Sequence, residues 1–87
     1  MIRLSLIIPT HNRAGQLLAA LESVVRQDMP AGEWECVVVN NNSTDDTPAR
    51  FAAFAARYPA LNLRMVTETG PGVSYARNRG IAETSAP

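Results

Sequence analysis

The sequence has only one cysteine and one histidine among its 87 residues, and it carries no excess of either charge. One cysteine cannot form an internal disulfide, and no second cysteine or histidine stands at metal-ligand spacing from Cys36. Eight basic and eight acidic side chains give a formal net charge of zero. This balance argues against binding to nucleic acid or to an anionic membrane through a basic surface. Any anion must therefore be bound by a local arrangement of groups.

Long apolar runs are also missing. No segment approaches the roughly 18 apolar residues that a membrane span needs. The N-terminal apolar run is interrupted by Arg3 and ends at Pro9, unlike a signal peptide. We therefore expect a cytoplasmic protein, with membrane attachment through a segment outside this sequence left open. Cys36 lies in the apolar run 36–39, where we expect a buried side chain within a strand.

Short apolar runs alternate with segments of helical pattern along the chain. Predicted strands lie at 4–8, 35–39 and 63–67, and predicted helices at 17–25, at 49–57 and after residue 74. The second strand is apolar enough to be a central strand covered on both faces. The alternating order with short connections predicts an α/β fold: a three-layer, Rossmann-like parallel sheet of β-α-β-α-β-α order.

Residues with capping chemistry precede each predicted helix. Asn12 is the expected N-cap of the first helix and Ser74 that of the third. The second helix has two possible starts. It begins either at the capping box that Ser43 opens or, because Pro48 fits only the first turn, two or more residues later.

Polar loops follow all three predicted strands, at 9–13, 40–46 and 68–74. Ligands of open parallel sheets bind beyond the carboxyl ends of the strands, where these loops lie. The loops lack the Lys-Ser/Thr of a P-loop, the G-x-G-x-x-G dinucleotide fingerprint and a serine nucleophile elbow. Three other motifs stand in or beside them: IIPTHNR at 7–13, VVVNNNSTDDT at 37–47 and GVSYARNRGI at 72–81.

In this order the three motifs closely resemble the N-terminal, nucleotide-binding half of family 2 glycosyltransferases, which have the GT-A fold. The resemblance covers essentially the whole chain. Residues 1–87 are therefore similar to the nucleotide-sugar-binding part of a glycosyltransferase domain, truncated before its end. The resemblance implies transfer of a sugar from a nucleotide-diphosphate-sugar donor to an acceptor hydroxyl, with inversion. The donor sugar, the base and the acceptor stay open.

The resemblance assigns the first motif to the nucleoside. Pro9, Thr10 and His11 match the loop that lies along the base and ribose. The family often has an aromatic residue at the position of His11, stacked on the base. A neutral imidazole can stack in the same way with less surface, and the alternative is a solvent-exposed loop histidine.

Two asparagines replace aspartates in the second motif. Asn40 and Asn41 stand where the family carries one or two aspartates that accept the imide N–H of a uracil. An asparagine can accept this bond without charge assistance, but its amide can also donate, so the resemblance does not fix the base as uracil. The alternative is that both asparagines only accommodate a left-handed turn.

The third motif offers a cation to the diphosphate. Arg77 resembles the arginine that reaches the donor diphosphate in the family. A guanidinium can bond two phosphate oxygens, and a helix N-terminus adds free N–H groups. We expect Arg79, on another helix face, to be a solvated surface charge. Asp45 and Asp46 are expected at the start of the second helix rather than as catalytic acids.

The family's metal-binding aspartate motif and its general base follow the region that matches 82–87. The resemblance implies a divalent cation, Mg²⁺ or Mn²⁺, for the complete enzyme and no metal ligand or catalytic residue in this chain. We therefore expect the 87 residues alone to bind a donor without transferring its sugar. An unpaired sheet edge is also expected to cause self-association.

Two other functions compete with this interpretation. The chain could be a non-catalytic module that binds nucleotides or another protein. It could also be a flavodoxin-like regulator, but such a protein needs an acidic cluster at the strand ends, where Asn40 and Asn41 stand.

Overall fold

The computed structural model describes residues 2–84 and confirms the alternating α/β order. Its strands and helices are β1 (Leu4–Thr10), α1 (Ala14–Val24), β2 (Trp34–Asn40), α2 (Thr47–Ala56), β3 (Leu63–Thr67) and α3 (Val73–Glu83). A short 3-10 turn at Ala31–Glu33, which the sequence pattern did not predict, precedes β2. The three strands form a parallel sheet of order β1-β2-β3, with Leu4 opposite Trp34 and Cys36 opposite Leu63.

The central strand β2 supplies both hydrophobic cores, since successive side chains of a strand face opposite sides of the sheet. All seven of its residues are buried. On one face Trp34, Cys36 and Val38 pack against apolar residues of α1 and α2, namely Leu17, Leu21, Phe51 and Phe54. On the other face Val37 and Val39 pack against Ala76 of α3. The fold is therefore three-layered, as predicted.

Helix α3 lies against β1 without space for a side chain between them. Ala76 is only 1% exposed. A β-carbon added at Gly80 would lie 2.4 Å from Cγ2 of Ile7. This close approach fixes the depth of α3 on the sheet, and its N-terminal end then lies beside the carboxyl ends of the strands.

An ion-pair network fastens the C-terminal end of α3 to the sheet. The buried carboxylate of Glu35 accepts hydrogen bonds from Ser5 Oγ at 2.6 Å and from Arg64 Nη2 at 3.3 Å. Arg64 also donates to Glu83 Oε2 at 3.3 Å. Arg79 Nε donates to Glu83 Oε1 at 3.1 Å, so Arg79 is half-buried and paired rather than a fully solvated charge.

The first two helices begin later than their capping signals predict. Asn12 is not the N-cap of α1, since Arg13 occupies that position and the helix begins at Ala14. Asn12 has a φ of 50°, in the left-handed region, and its side chain bonds to another loop instead. α2 begins at Thr47 with Asp46 at its N-cap, which is the later of its two predicted starts.

The third helix begins earlier than predicted. Gly72 is the N-cap of α3, and Ser74 lies inside the first turn. The φ of Gly72 is 100°, a conformation that glycine adopts without steric cost. The chain therefore turns into the helix at Gly72, two residues before the serine.

Candidate functional site

A cleft of about 480 Å³ lies at the carboxyl ends of the strands, where ligands of such sheets bind. It is formed by the loops after β1, β2 and β3 together with the start of α3. Its lining residues are Pro9, Thr10, His11, Arg13, Asn41, Asn42, Pro71, Gly72, Val73 and Ala76. Of the six predicted donor-binding residues, Pro9, Thr10, His11 and Asn41 line this cleft, whereas Asn40 and Arg77 are outside the lining.

His11 is held in one orientation by a backbone carbonyl. Its Nδ1 lies 2.6 Å from the carbonyl oxygen of Asn41. A carbonyl oxygen only accepts, so Nδ1 must carry the proton. In the neutral form of the ring, Nε2 is then the acceptor, and the His11 side chain is exposed at the cleft. The main chain of the two loops is also joined, because Asn41 N donates to Thr10 O at 2.8 Å.

Asn12 joins the first loop to the second. Its Oδ1 accepts hydrogen bonds from the backbone N–H of Thr44 at 2.7 Å and of Asp45 at 3.2 Å. Its own backbone N–H donates to Ser43 Oγ at 3.0 Å. The side chain that the sequence suggested as a helix cap therefore fixes the relative position of two cleft-forming loops.

Asn40 and Asn41 have different surroundings. Asn40 is buried, and its Oδ1 accepts a bond from Ser43 N at 3.1 Å. Asn41 lines the cleft, and its Nδ2 donates to the carbonyls of Glu68 at 3.0 Å and Gly70 at 2.7 Å. The first asparagine shapes its own loop, and the second ties that loop to the segment after β3.

The left-handed conformation that was considered for Asn40 and Asn41 occurs at Asn42 instead. Asn42 has a φ of 60°, and Asn40 and Asn41 do not have positive φ. The Nδ2 of Asn42 donates to the carbonyl oxygen of Thr69 at 3.0 Å. The alternative interpretation of Asn40 and Asn41 as residues that only accommodate such a turn is therefore wrong.

Asp45 serves the start of α2, as predicted. Its Oδ1 accepts hydrogen bonds from the hydroxyl of Thr47 and from Thr47 N at 3.0 Å. The hydroxyl bond, foremost, lowers the pKa of Asp45 below its ordinary value of 3.8. Asp46 occupies the N-cap position, and neither aspartate lines the cleft.

The start of α3 forms the opposite wall of the cleft. No side chain caps this helix, so its first N–H groups have no side-chain acceptor. Arg77 is exposed one turn beyond Val73, and its side chain makes no hydrogen bond or ion pair with any residue from 2 to 84. Arg13 also lines the cleft and was not predicted to do so; its Nη1 donates to Gln16 Oε1 at 3.1 Å. Its place at the end of the first motif was the signal for it.

The cleft suits a polar or anionic organic ligand and does not suit a resident metal ion. Among residues 2–84, His11 is the only histidine, cysteine or carboxylate side chain in the lining. Within residues 2–84, no group of three or more such side chains could hold a metal.

None of the helices described within residues 2–84 has both the length and the apolar character of a membrane-spanning segment.

The fold is that of the GT-A glycosyltransferases, which have a Rossmann-like nucleotide-sugar-binding fold. A mannosyltransferase from Pyrobaculum calidifontis, solved in complex with GDP-Man and Mn²⁺, superposes with a TM-score of 0.89 at 34% identity over 95% of this chain and 24% of that one. TarS residues 1–349 of S. aureus, in complex with UDP-GlcNAc, superpose with a TM-score of 0.76 at 31% identity over 98% of this chain and 24% of that one.

Residues 5–87 match the model of glycosyl transferase family 2, and the chain belongs to this family. A PGL/p-HBAD biosynthesis glycosyltransferase of Mycobacterium tuberculosis is 42% identical over 88% of this chain and 29% of its own length. The uncharacterized glycosyltransferase YibD of Escherichia coli is 34% identical over 91% of this chain and 22% of its own length. The chain thus spans about a quarter of the length of these relatives.

Proposed function

We propose that this chain holds the nucleotide-diphosphate-sugar donor for transfer of the sugar to an acceptor hydroxyl, with inversion. The observation that carries the proposal is the cleft at the carboxyl ends of the strands, lined by His11, Asn41 and the uncapped start of α3. Support also comes from the two superposed glycosyltransferases, whose complexes contain GDP-Man and UDP-GlcNAc.

The nucleoside would lie along the first loop. Pro9 and Thr10 provide a wall for it, and the ring of His11 is oriented by its bond to a carbonyl, so it can stack on a base without further ordering. Asn41 would accept a hydrogen bond from the base through Oδ1. Asn40 is buried outside the lining, and its contribution to the donor site would be to hold the second loop in place.

The diphosphate would lie at the start of α3. Side chains of a helix lean toward its N-terminus, and residues four apart are neighbours on its surface. A guanidinium at Arg77 can therefore extend over Val73, which lines the cleft. Free N–H groups and the positive end of the helix dipole add to the attraction for phosphate. Arg13 provides a cation on the opposite side of the cleft.

A calorimetric titration with UDP and GDP tests the diphosphate assignment. Arg77→Ala removes a charge-assisted contact of about 1.5–3 kcal/mol, so we expect the Kd to rise between tenfold and a hundredfold. Arg50→Ala is the matched control, since this exposed arginine lies on α2, away from the cleft. Equal affinities for the wild type and Arg77→Ala would remove Arg77 from the site.

For the 87 residues alone we propose binding without transfer. The support is the absence of a metal-binding cluster from residues 2–84, together with the Mn²⁺ in the superposed mannosyltransferase complex. Incubation with UDP- and GDP-sugars plus Mn²⁺ or Mg²⁺ should release no nucleotide above the buffer control. Metal-dependent turnover by this chain would contradict the proposal.

We also propose that the isolated chain self-associates through a sheet edge. Within residues 2–84, β1 and β3 each pair with β2 alone, and the exposed edge of a strand is a template for pairing with another chain. Sedimentation velocity should show a concentration-dependent rise in mean mass, and a strictly monomeric, folded species would contradict it.

A further inference from the structure

The side-chain –NH₂ of Asn41 makes both of its hydrogen bonds inside the protein. Its two N–H groups are matched by two acceptors, the carbonyl oxygens of Glu68 at 3.0 Å and Gly70 at 2.7 Å. Peptide carbonyls only accept, so the –NH₂ must face them and Oδ1 must face away. The only group that Asn41 can offer a ligand is therefore an acceptor.

These two bonds hold a segment that leads directly into the cleft wall. Glu68 is fixed further by its backbone N–H, which donates to Asn40 O at 3.0 Å. Its carboxylate accepts a bond from Gly70 N at 2.7 Å and lies 3.8 Å from Arg79 Nη1 of α3. The segment 68–70 thus bridges the end of β2 and α3, and the cleft-lining residues 71–73 follow it without a break.

We infer that Asn41 is a positioning residue for the donor site: its amide fixes segment 68–70, and through it the start of α3, relative to the first two loops. The inference rests on the proposed function of the cleft. An ionised aspartate has the same shape as asparagine, but it can accept hydrogen bonds and cannot donate them. It would therefore place a negative charge against two carbonyl oxygens. An aspartate at this position keeps the acceptor for a base and loses the fixed loop.

The wild-type chain tests the amide contacts directly. We expect the side-chain –NH₂ of Asn41 to exchange its protons with solvent at least tenfold more slowly than that of Asn78. The Asn78 side chain is exposed and makes no hydrogen bond with any residue from 2 to 84. NMR of the chain without nucleotide measures both rates. Equal rates would overturn the inference, whatever the chain binds.

The variant N41D tests the positioning role, and N62D is its matched control. Both variants add one negative charge and replace an amide that donates to a backbone carbonyl, but Asn62 donates to Trp34 O at 3.3 Å and lies outside the cleft lining. We expect N41D to speed backbone amide exchange at Gly70 at least tenfold and to raise the Kd for UDP or GDP at least tenfold at pH 7.5. N62D should change either quantity less than threefold.

A pH profile distinguishes the lost donor from general damage to the fold. A protonated carboxyl can donate one of the two bonds, so nucleotide affinity of N41D should improve relative to the wild type as pH falls from 7.5 to 5. Affinity of N41D equal to that of the wild type, or a ratio that does not change with pH, would overturn the inference. If the wild-type chain binds neither nucleotide, the proposed function fails, and the exchange rates alone decide the positioning role of Asn41.

Discussion

Replacing Gly80 by alanine tests the packing that sets the depth of α3. The added β-carbon would lie 2.4 Å from Cγ2 of Ile7 and 3.4 Å from its Cβ and Cδ1. A normal carbon contact begins near 3.4 Å, so the helix or the strand must move by about 1 Å. Ile7 is β-branched and cannot easily rotate its methyl group away.

The expected cost follows from two opposing terms. Overpacking of this kind costs about 1–3 kcal/mol, and the change from glycine to alanine within a helix returns about 1 kcal/mol. The stiff Ile7 side chain favours the upper end, so Gly80→Ala should lower the free energy of unfolding by about 2 kcal/mol. With a urea slope of 1–3 kcal/mol per molar, the midpoint falls by about 1 M.

The chain contains its own control. Gly15 is also helical, in α1, and a β-carbon there would meet nothing within 4 Å. Gly15→Ala should therefore raise the free energy of unfolding by about 0.5–1 kcal/mol. Ile7→Ala removes the clashing methyl group, so the cost of Gly80→Ala should fall by at least about 1 kcal/mol in that background. Equal stabilisation by both glycine substitutions would contradict the close contact between Gly80 and Ile7.

Three further predictions concern single residues. Asp45→Ala should lower stability at neutral pH, because the hydrogen bonds from Thr47 hold the pKa of the Asp45 carboxyl below 3.8. In the wild type this stabilisation is present above pH 4 and is lost as pH falls below 3.8, so the difference between the two urea midpoints should shrink from pH 7 to pH 3. Burial raises the pKa of the Cys36 thiol from 9.0 to about 11, so the thiol should resist a disulfide reagent at pH 8, and stability should fall as pH rises from 9 towards 11. A Cys36→Ala variant should lack this alkaline decline, and a decline unchanged in it would refute the assignment. His11→Ala should weaken UDP or GDP binding by about 1 kcal/mol or more through lost stacking. The lost hydrogen bond to Asn41 O should lower the free energy of unfolding by about 0.5–1.5 kcal/mol, and equal nucleotide affinity would refute the stacking role.

The sequence predicted the sheet well because its signals are local. The third strand was predicted at 63–67, the range that the structure shows, since an apolar run between a proline-containing turn and a glycine loop defines its ends. The buried position of Cys36 followed in the same way from its apolar neighbours. The central position of β2 followed from its continuous apolar run. The expected position of a cleft followed from the rule that ligands of open parallel sheets bind beyond the carboxyl ends of the strands.

The site was predicted in part, because several of its side chains bond to distant loops. Asn12 has capping chemistry, but its acceptor is used by N–H groups more than 30 residues away. Asn41 was predicted to contact the donor, yet its bonds to Glu68 and Gly70 depend on the loop after β3. Such contacts leave no periodic pattern in the sequence. Arg77 matches its motif but is outside the cleft lining, so its role stays a prediction.

Nucleotide titration of the ¹⁵N-labelled chain tests donor binding and also locates the binding site. We expect UDP or GDP to shift backbone resonances at 9–13, 41–42 and 71–77, around the cleft. Resonances at 61–64, beside a separate pocket that lies away from these loops, should stay unchanged. Shifts confined to 61–64, or no shifts with either nucleotide at millimolar concentration, would contradict the claim that this chain holds the donor.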